Sequence, residues 1–490
     1  MTPAGGSVFP ALGYNPIDCF AYVGFIRQAA ETGGWLLLNP YTTSPQDGRY
    51  FLPLFSLLGM LCRWTGLDPF WALELVRVPL IFIFFAVLWR FLATFIPGQR
   101  RRLFAVCLVA FSGGLEFIAV ATLNAWPPRL RDLIVEAISN DQGWSTFAAL
   151  NNPLWIAGLT LSLLALRPVL KPAGTQRLRD WCQLTIALTA AYWVHPYSGL
   201  VVLAVAALLP VARWLFGVPN WPRAYVVGAG PALGVAVAFI GAVALWQNQD
   251  AVYRATAGKV LGDHQLSAFW YPITLGAVGL LALRGWQQWL RDSTPARFEV
   301  GAWTVIVVWM HTSPLFNGYH FVFHLHLPVC IVAATALDEW WQQFPKQNWA
   351  SQVATAFVIA LAFQSPLAVT WWSAQQALAY QIPGPVMAAF QRLARLPTGR
   401  VYSSPHIGTL LPAFTNHRVY VGHWFLTPDH AQKQAQFMDV MAGRLPPAVW
   451  VDLLRQDSID YLLLPQTHPR LSWPPSARWR RPPSRSVRIS

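Results

Sequence analysis

About ten apolar stretches occupy most of the chain between residues 70 and 371, each long enough or nearly long enough to span a bilayer. They fall at 70–97, 103–122, 147–166, 182–194, 197–214, 224–246, 268–284, 299–311, 321–337 and 350–371. A straight span needs about 20 apolar residues, and several of these are shorter. The pair flanking His195-Pro196 reads either as two spans or as one broken span, so nine to eleven crossings fit. Composition agrees. Of 490 residues 55% are hydrophobic and only 11% are charged, whereas soluble proteins carry about 25% charged residues. A water-soluble enzyme of this length is excluded, and so is intrinsic disorder, which needs low hydrophobicity.

The net charge is +14, from 35 Lys and Arg against 21 Asp and Glu. Much of that excess sits in short loops and in the tail after Gln466. There Arg470, Arg478, Arg480, Arg481, Arg485 and Arg488 meet no acid. Charge placed this way gives no reason to expect nucleic acid as a partner. The loops carrying Arg100–Arg102, Lys171 with Arg177 and Arg179, Arg213 with Arg223, Arg284 with Arg291 and Arg297, and Lys346 form the basic set. Alternate loops hold only Arg129, Arg131, Arg254 and Lys259. The basic set therefore faces the cytoplasm, which leaves residues 1–65, 123–146, 247–267 and everything after 372 outside.

Residues 1–50 contain no long apolar run, so neither a signal peptide nor a leading span is expected there. After Trp372 the pattern changes to short apolar strands at 400–404, 418–422 and 461–465, alternating with helical segments. That alternation predicts a small parallel α/β unit, and no glycine-rich phosphate loop within it suggests nucleotide binding. The fold expected is thus mainly α: a polytopic helical membrane bundle with a small C-terminal extramembrane α/β domain. The membrane domain covers 1–371 with an external first loop at 1–65. The α/β domain covers 372–466, and 467–490 reads as a disordered basic tail. The five cysteines, Cys19, Cys62, Cys107, Cys182 and Cys330, are scattered and show no ligand spacing.

The first external segment carries the most chemical information: Asn15-Pro-Ile-Asp18, Tyr22, Arg27-Gln-Ala29, Gly34-Trp-Leu36 and Asn39-Pro-Tyr-Thr42. With Phe111-Ser-Gly-Gly114, Asn152-Pro153, His195-Pro-Tyr197 and Val421-Gly-His-Trp424 followed by Thr427 and Lys433, this pattern resembles integral-membrane glycosyltransferases of the GT-C superfamily. It is most similar to bacterial members of the protein-mannosyl and aminoarabinose transferase group. The resemblance implies a multi-pass enzyme of the bacterial plasma (inner) membrane, with its C-terminal domain extracytoplasmic, serving the cell envelope. Its partners would be the bilayer, a polyprenyl-phosphate sugar donor and an acceptor that the sequence does not name. The first external loop would supply the essential acid, and only Asp18 matches that place.

An acid at headgroup depth can deprotonate or orient an incoming hydroxyl, while cations or histidines stabilise the leaving phosphate. Arg77, His195 and His320 are the candidates for that second task, and Tyr22 and Asp47 complete the expected site. Each residue also has a plainer reading. Asp18 before an amphipathic run suits a helix cap, Asp47 suits a turn, and Arg77 suits an ion pair with Glu74 one helical turn away. His320 and His324, at i and i+4, make a metal pair without an acidic third ligand nearby. No metal and no other cofactor is therefore expected, although a divalent ion would suit the chemistry. Two other functions stay open: a non-catalytic relative that binds lipid carriers or assists envelope assembly, and a transporter or flippase.

Overall fold

The computed structural model describes residues 15–115, 118–119, 122, 125–132, 146–171, 175–216, 223–257, 270–291, 295–313, 321–344, 348–364, 366–367, 369–371, 373–374, 380–464 and 485–488. Among these, four helices are long and apolar enough to cross a membrane: Pro69–Leu92, Pro153–Leu170, Pro196–Leu215 and Val227–Gln247. The other expected spans that are described fall on helices that do not combine that length with that apolarity, among them the 13-residue Gln99–Phe111 and the 14-residue Trp349–Ala362. Large apolar side chains lie bare on these helices, with Phe82 73% and Leu245 72% exposed. Surfaces of that kind belong against lipid. The chain divides into two compact units, the first built from 1–75, 243–260 and 373–490, the second from 76–242 and 261–372.

The first unit starts with the helix Pro16–Thr32, which buries Phe20, Val23, Phe25, Ile26 and Ala29. Each such side chain removed from water contributes about 1.5–3 kcal/mol. Helix Pro53–Thr65 crosses it closely at Gly59, where a Cβ would stand 2.4 Å from that of Ala29. Between the two helices runs a hairpin of β1 (Leu36–Leu37) and β2 (Tyr50–Phe51), antiparallel. Its long loop is tied to the segment 243–260. Asp47 donates its backbone N–H to Asp250 Oδ2 at 2.7 Å. Arg49 reaches the Trp246 carbonyl at 2.7 Å, and the Tyr50 and Thr256 hydroxyls meet at 2.6 Å.

The C-terminal part of this unit is a parallel sheet of β3 (Arg400–Ser403), β4 (Arg418–Val419), β5 (Tyr461–Leu464) and β6 (Arg485–Arg488), in the order β4-β3-β5-β6. Tyr402, Tyr420 and Leu462 form a core with Phe437, Val440, Trp450 and Leu454 from the helices His430–Met441 and Pro447–Gln456. Strands and helices thus alternate as the composition after Trp372 predicts. The fourth strand departs from the sequence expectation, because Arg485–Arg488 falls within the supposed disordered tail. The free edge of β5 gives the reason: its unpaired backbone groups accept a parallel partner whatever that partner's composition. The first loop docks on the opposite edge, where Val419 donates to the Pro40 carbonyl at 2.9 Å.

The second unit is helical, and its centre is the helix Val322–Gln343, buried at every position from 323 to 338. A helix buried on every side, and mostly apolar, belongs in the middle of a bundle. Its C-terminal end holds Asp338, which accepts from Arg100 at 2.6 Å and from Arg101 at 3.2 Å. Lys171 and Asp180 pair at 2.6 Å, and Arg213 bonds Glu299. Several cations of the basic loops are therefore held by acids from neighbouring helices.

Candidate functional site

Asp18 occupies the third position of helix Pro16–Thr32, and the N-cap is Asn15. The capping expectation for Asp18 therefore fails: Pro16 starts the helix, which moves the cap one turn upstream and frees the carboxylate. Asn15 takes a left-handed conformation, φ 45°, uncommon for a residue with a side chain and costly to hold. Held there, it donates its amide to Asp18 Oδ2 at 2.7 Å. The other oxygen, Oδ1, is 2.9 Å from His423 Nε2. The His423 side chain is 4% exposed and that of Asp18 is 23% exposed. One residue is locked, and the other is locked but open to a small molecule. The helix N-terminus adds its positive dipole end beneath the carboxylate.

The sheet delivers His423. It follows β4 on the carboxyl side, the end at which ligands gather in open parallel sheets. Helix Pro405–Phe414 presses its Gly408 against that segment so closely that a Cβ would lie 1.9 Å from the Val421 carbonyl oxygen. Gly422 is also tight, with a would-be Cβ 2.7 Å from the Gly408 carbonyl. The turn that follows bonds to itself: Gly422 N–H donates to Thr427 Oγ1 at 3.1 Å, and Thr427 N–H to the His423 carbonyl at 2.9 Å. Asn39 from the first loop anchors it, donating to the Leu426 carbonyl at 2.7 Å.

Tyr41 completes the wall, its ring centroid 5.7 Å from that of His423 and its hydroxyl donating to the Thr409 carbonyl. Burial, and then the nearby charge of Asp18, push its phenol well above the ordinary tyrosine range. It stays protonated and offers no base. Trp424 lies beside His423, nearly parallel at 6.2 Å, with half its surface exposed. Lys433 places its Nζ 5.1 Å from the centre of the Tyr420 ring, and burial lowers its pKa.

The other expected site residues are distributed. Tyr22, one turn after Asp18, stacks on Phe55 with centroids 4.8 Å apart. Asp47 has a 66% exposed carboxylate paired with Arg49 at 3.1 Å. In the second unit Arg77 donates to the Asn151 carbonyl at 3.2 Å. His195 is buried, with Nδ1 2.8 Å from the Ser198 hydroxyl. His320 lies outside the described residues. No group of three His, Cys, Asp or Glu suited to a metal ion lies together among the described residues. What the sequence reading missed was the joining of Asp18 to His423. The Val421–Trp424 motif was the available signal, but nothing in its spacing says which acid it meets.

No family model matches the chain, and no curated protein does. Solved structures similar to it include the following three. Two are of an oligosaccharyltransferase from Archaeoglobus fulgidus. One, tethered to an acceptor peptide, has 12% identity over 83% of this chain and 60% of that one, with TM-score 0.43. The other, described as AglB with an inhibitory peptide and a dolichol-phosphate, has 14% identity over 84% and 61%, with TM-score 0.41. The third is ArnT from Cupriavidus metallidurans bound to undecaprenyl phosphate, with 14% identity over 84% of each chain and TM-score 0.45. The chain thus spans about three fifths of the length of the archaeal enzyme's structures.

Proposed function

We propose that this chain is a membrane glycosyltransferase that moves a sugar from a polyprenyl-phosphate donor to an acceptor on the external face of the bacterial plasma membrane. Asp18 serves as its acid/base. The observation that carries this reading is the Asp18 carboxylate itself, aimed from both oxygens by Asn15 and His423 yet still reachable. In the step envisaged, the acceptor oxygen attacks the anomeric carbon and its proton passes to Asp18. The bond from the anomeric carbon to the phosphate oxygen breaks, and polyprenyl phosphate leaves with the electron pair. A positioned carboxylate supports such a transfer by roughly 10²–10⁴-fold. Arg77, His195 and His320 are proposed neighbours of the leaving phosphate, Tyr22 and Asp47 proposed contacts of the acceptor side.

One observation favours the non-catalytic reading: both oxygens of Asp18 already hold partners. The test is release of undecaprenyl phosphate by the full chain in liposomes. It would be offered a panel of undecaprenyl-phosphoryl hexoses and pentoses together with an extracted envelope acceptor fraction. Release that requires both donor and acceptor supports the transferase. Saturable undecaprenyl phosphate binding with no release from any donor supports the non-catalytic relative.

A further inference from the structure

We infer that His423 is the positioning residue of this site, presenting a single N–H to Asp18 because the turn around it fixes its tautomer. The inference rests on the reading of Asp18 as the acid/base and adds the group that holds it ready. Backbone N–H groups of Phe425 and Leu426 both point at His423 Nδ1, at 3.2 and 3.4 Å. A nitrogen that accepts two N–H groups carries no hydrogen, so the imidazole proton sits on Nε2. That nitrogen is the one 2.9 Å from Asp18 Oδ1. The proton is thus directed at the carboxylate, and the ring has no free nitrogen with which to take one away.

The arrangement defines a division of labour. Asp18 keeps the lone pairs that can receive a proton from an acceptor hydroxyl, while His423 holds the carboxylate at one angle. Asn15 holds it from the other side. The turn from Gly422 to Thr427 closes on its own hydrogen bonds, and Asn39 ties it to the loop that follows the Asp18 helix. The α/β part of the unit therefore contributes a working residue to a site whose acid comes from the first loop.

Two substitutions separate this role from a structural one. His423→Gln places an amide N–H near the position of Nε2 and removes the acceptor at Nδ1. His423→Asn does the reverse, keeping an acceptor for the turn and losing the donor to Asp18. A positioning role predicts that His423→Asn lowers kcat for undecaprenyl phosphate release by roughly 10- to 100-fold at little-changed KM. His423→Gln would then retain most of the activity. A turn-forming role predicts the opposite order, and that order, or equal loss in both with a lowered melting temperature, overturns the inference. Imidazole ¹⁵N shifts give the second readout. A protonated Nε2 beside a bare Nδ1, with Nε2 responding to Asp18→Ala, supports the geometry, and the other tautomer refutes it. Failure of the transferase reading would look different, as wild-type protein that releases nothing from any donor while these shifts stand.

Discussion

His195 and His324 share one hydroxyl: Ser198 Oγ lies 2.8 Å from His195 Nδ1 and 2.9 Å from His324 Nε2, with all three residues buried. Two residues on from His324 in the central helix, His326 is held likewise, 3.2 Å from Ser112 Oγ and 2.9 Å from Thr146 Oγ1. These contacts gather three interruptions of the bundle. They are the end of the helix Gln99–Phe111, the turn before Asn152-Pro153, and the break at His195-Pro196. All three are motifs that stood out in the sequence.

Ser198→Ala tests the hub. It leaves two buried ring nitrogens facing apolar carbon, and each unsatisfied group costs about 1–3 kcal/mol. A clear fall in the thermal midpoint in detergent is expected. An unchanged midpoint would mean that the histidines find other partners.

Asn39→Ala should be felt at two segments far apart in sequence. Its side chain is wholly buried; it donates to the Leu426 carbonyl and accepts from Tyr41 N–H at 2.9 Å. Truncation strands both, for an expected loss of about 2–4 kcal/mol. Asn39→Asp should be worse, since it turns an oxygen towards the Leu426 carbonyl. Limited proteolysis of the 422–427 turn would report it, and equal resistance in all three proteins would contradict the account.

Gly408→Ala asks whether the close approach behind His423 matters. Its methyl would meet the Val421 carbonyl at 1.9 Å, so the backbone leading to His423 must move. Loss of undecaprenyl phosphate release by about 10²-fold is expected from a displacement near 1 Å. Retained release would detach His423 placement from this contact.

Sidedness is tested by single cysteines replacing Gln99 and Gln249, placed on opposite faces by the loop charges. Labelling of position 249 alone from outside is expected. The same compartment for both would overturn the orientation.

How much of this was legible depended on the range of the signal. The apolar runs and the α/β alternation after Trp372 are local patterns, so the strands at Arg400, Arg418 and Tyr461 could be placed from them. Asp18 could be singled out by its motif. Its partner could not, because the approach of His423 is set by tertiary contacts such as Gly408 on Val421, which leave no periodicity. The role of Asn15 was hidden for a similar reason. A capping residue is usually read by its oxygen, whereas here its amide acts on the acid three residues ahead. Strand β6 was invisible because the partner edge of β5, and not its own composition, makes it a strand.

The central claim rests on Asp18, and Asp18→Asn tests it most directly by removing the charge at nearly constant shape. Full-length protein in liposomes, supplied with the donor that wild type uses, should release undecaprenyl phosphate at least about 100-fold more slowly, with an unchanged thermal midpoint. Release within about twofold of wild type, which is negligible as a barrier change, would contradict the account and leave Asp18 as a structural partner of His423.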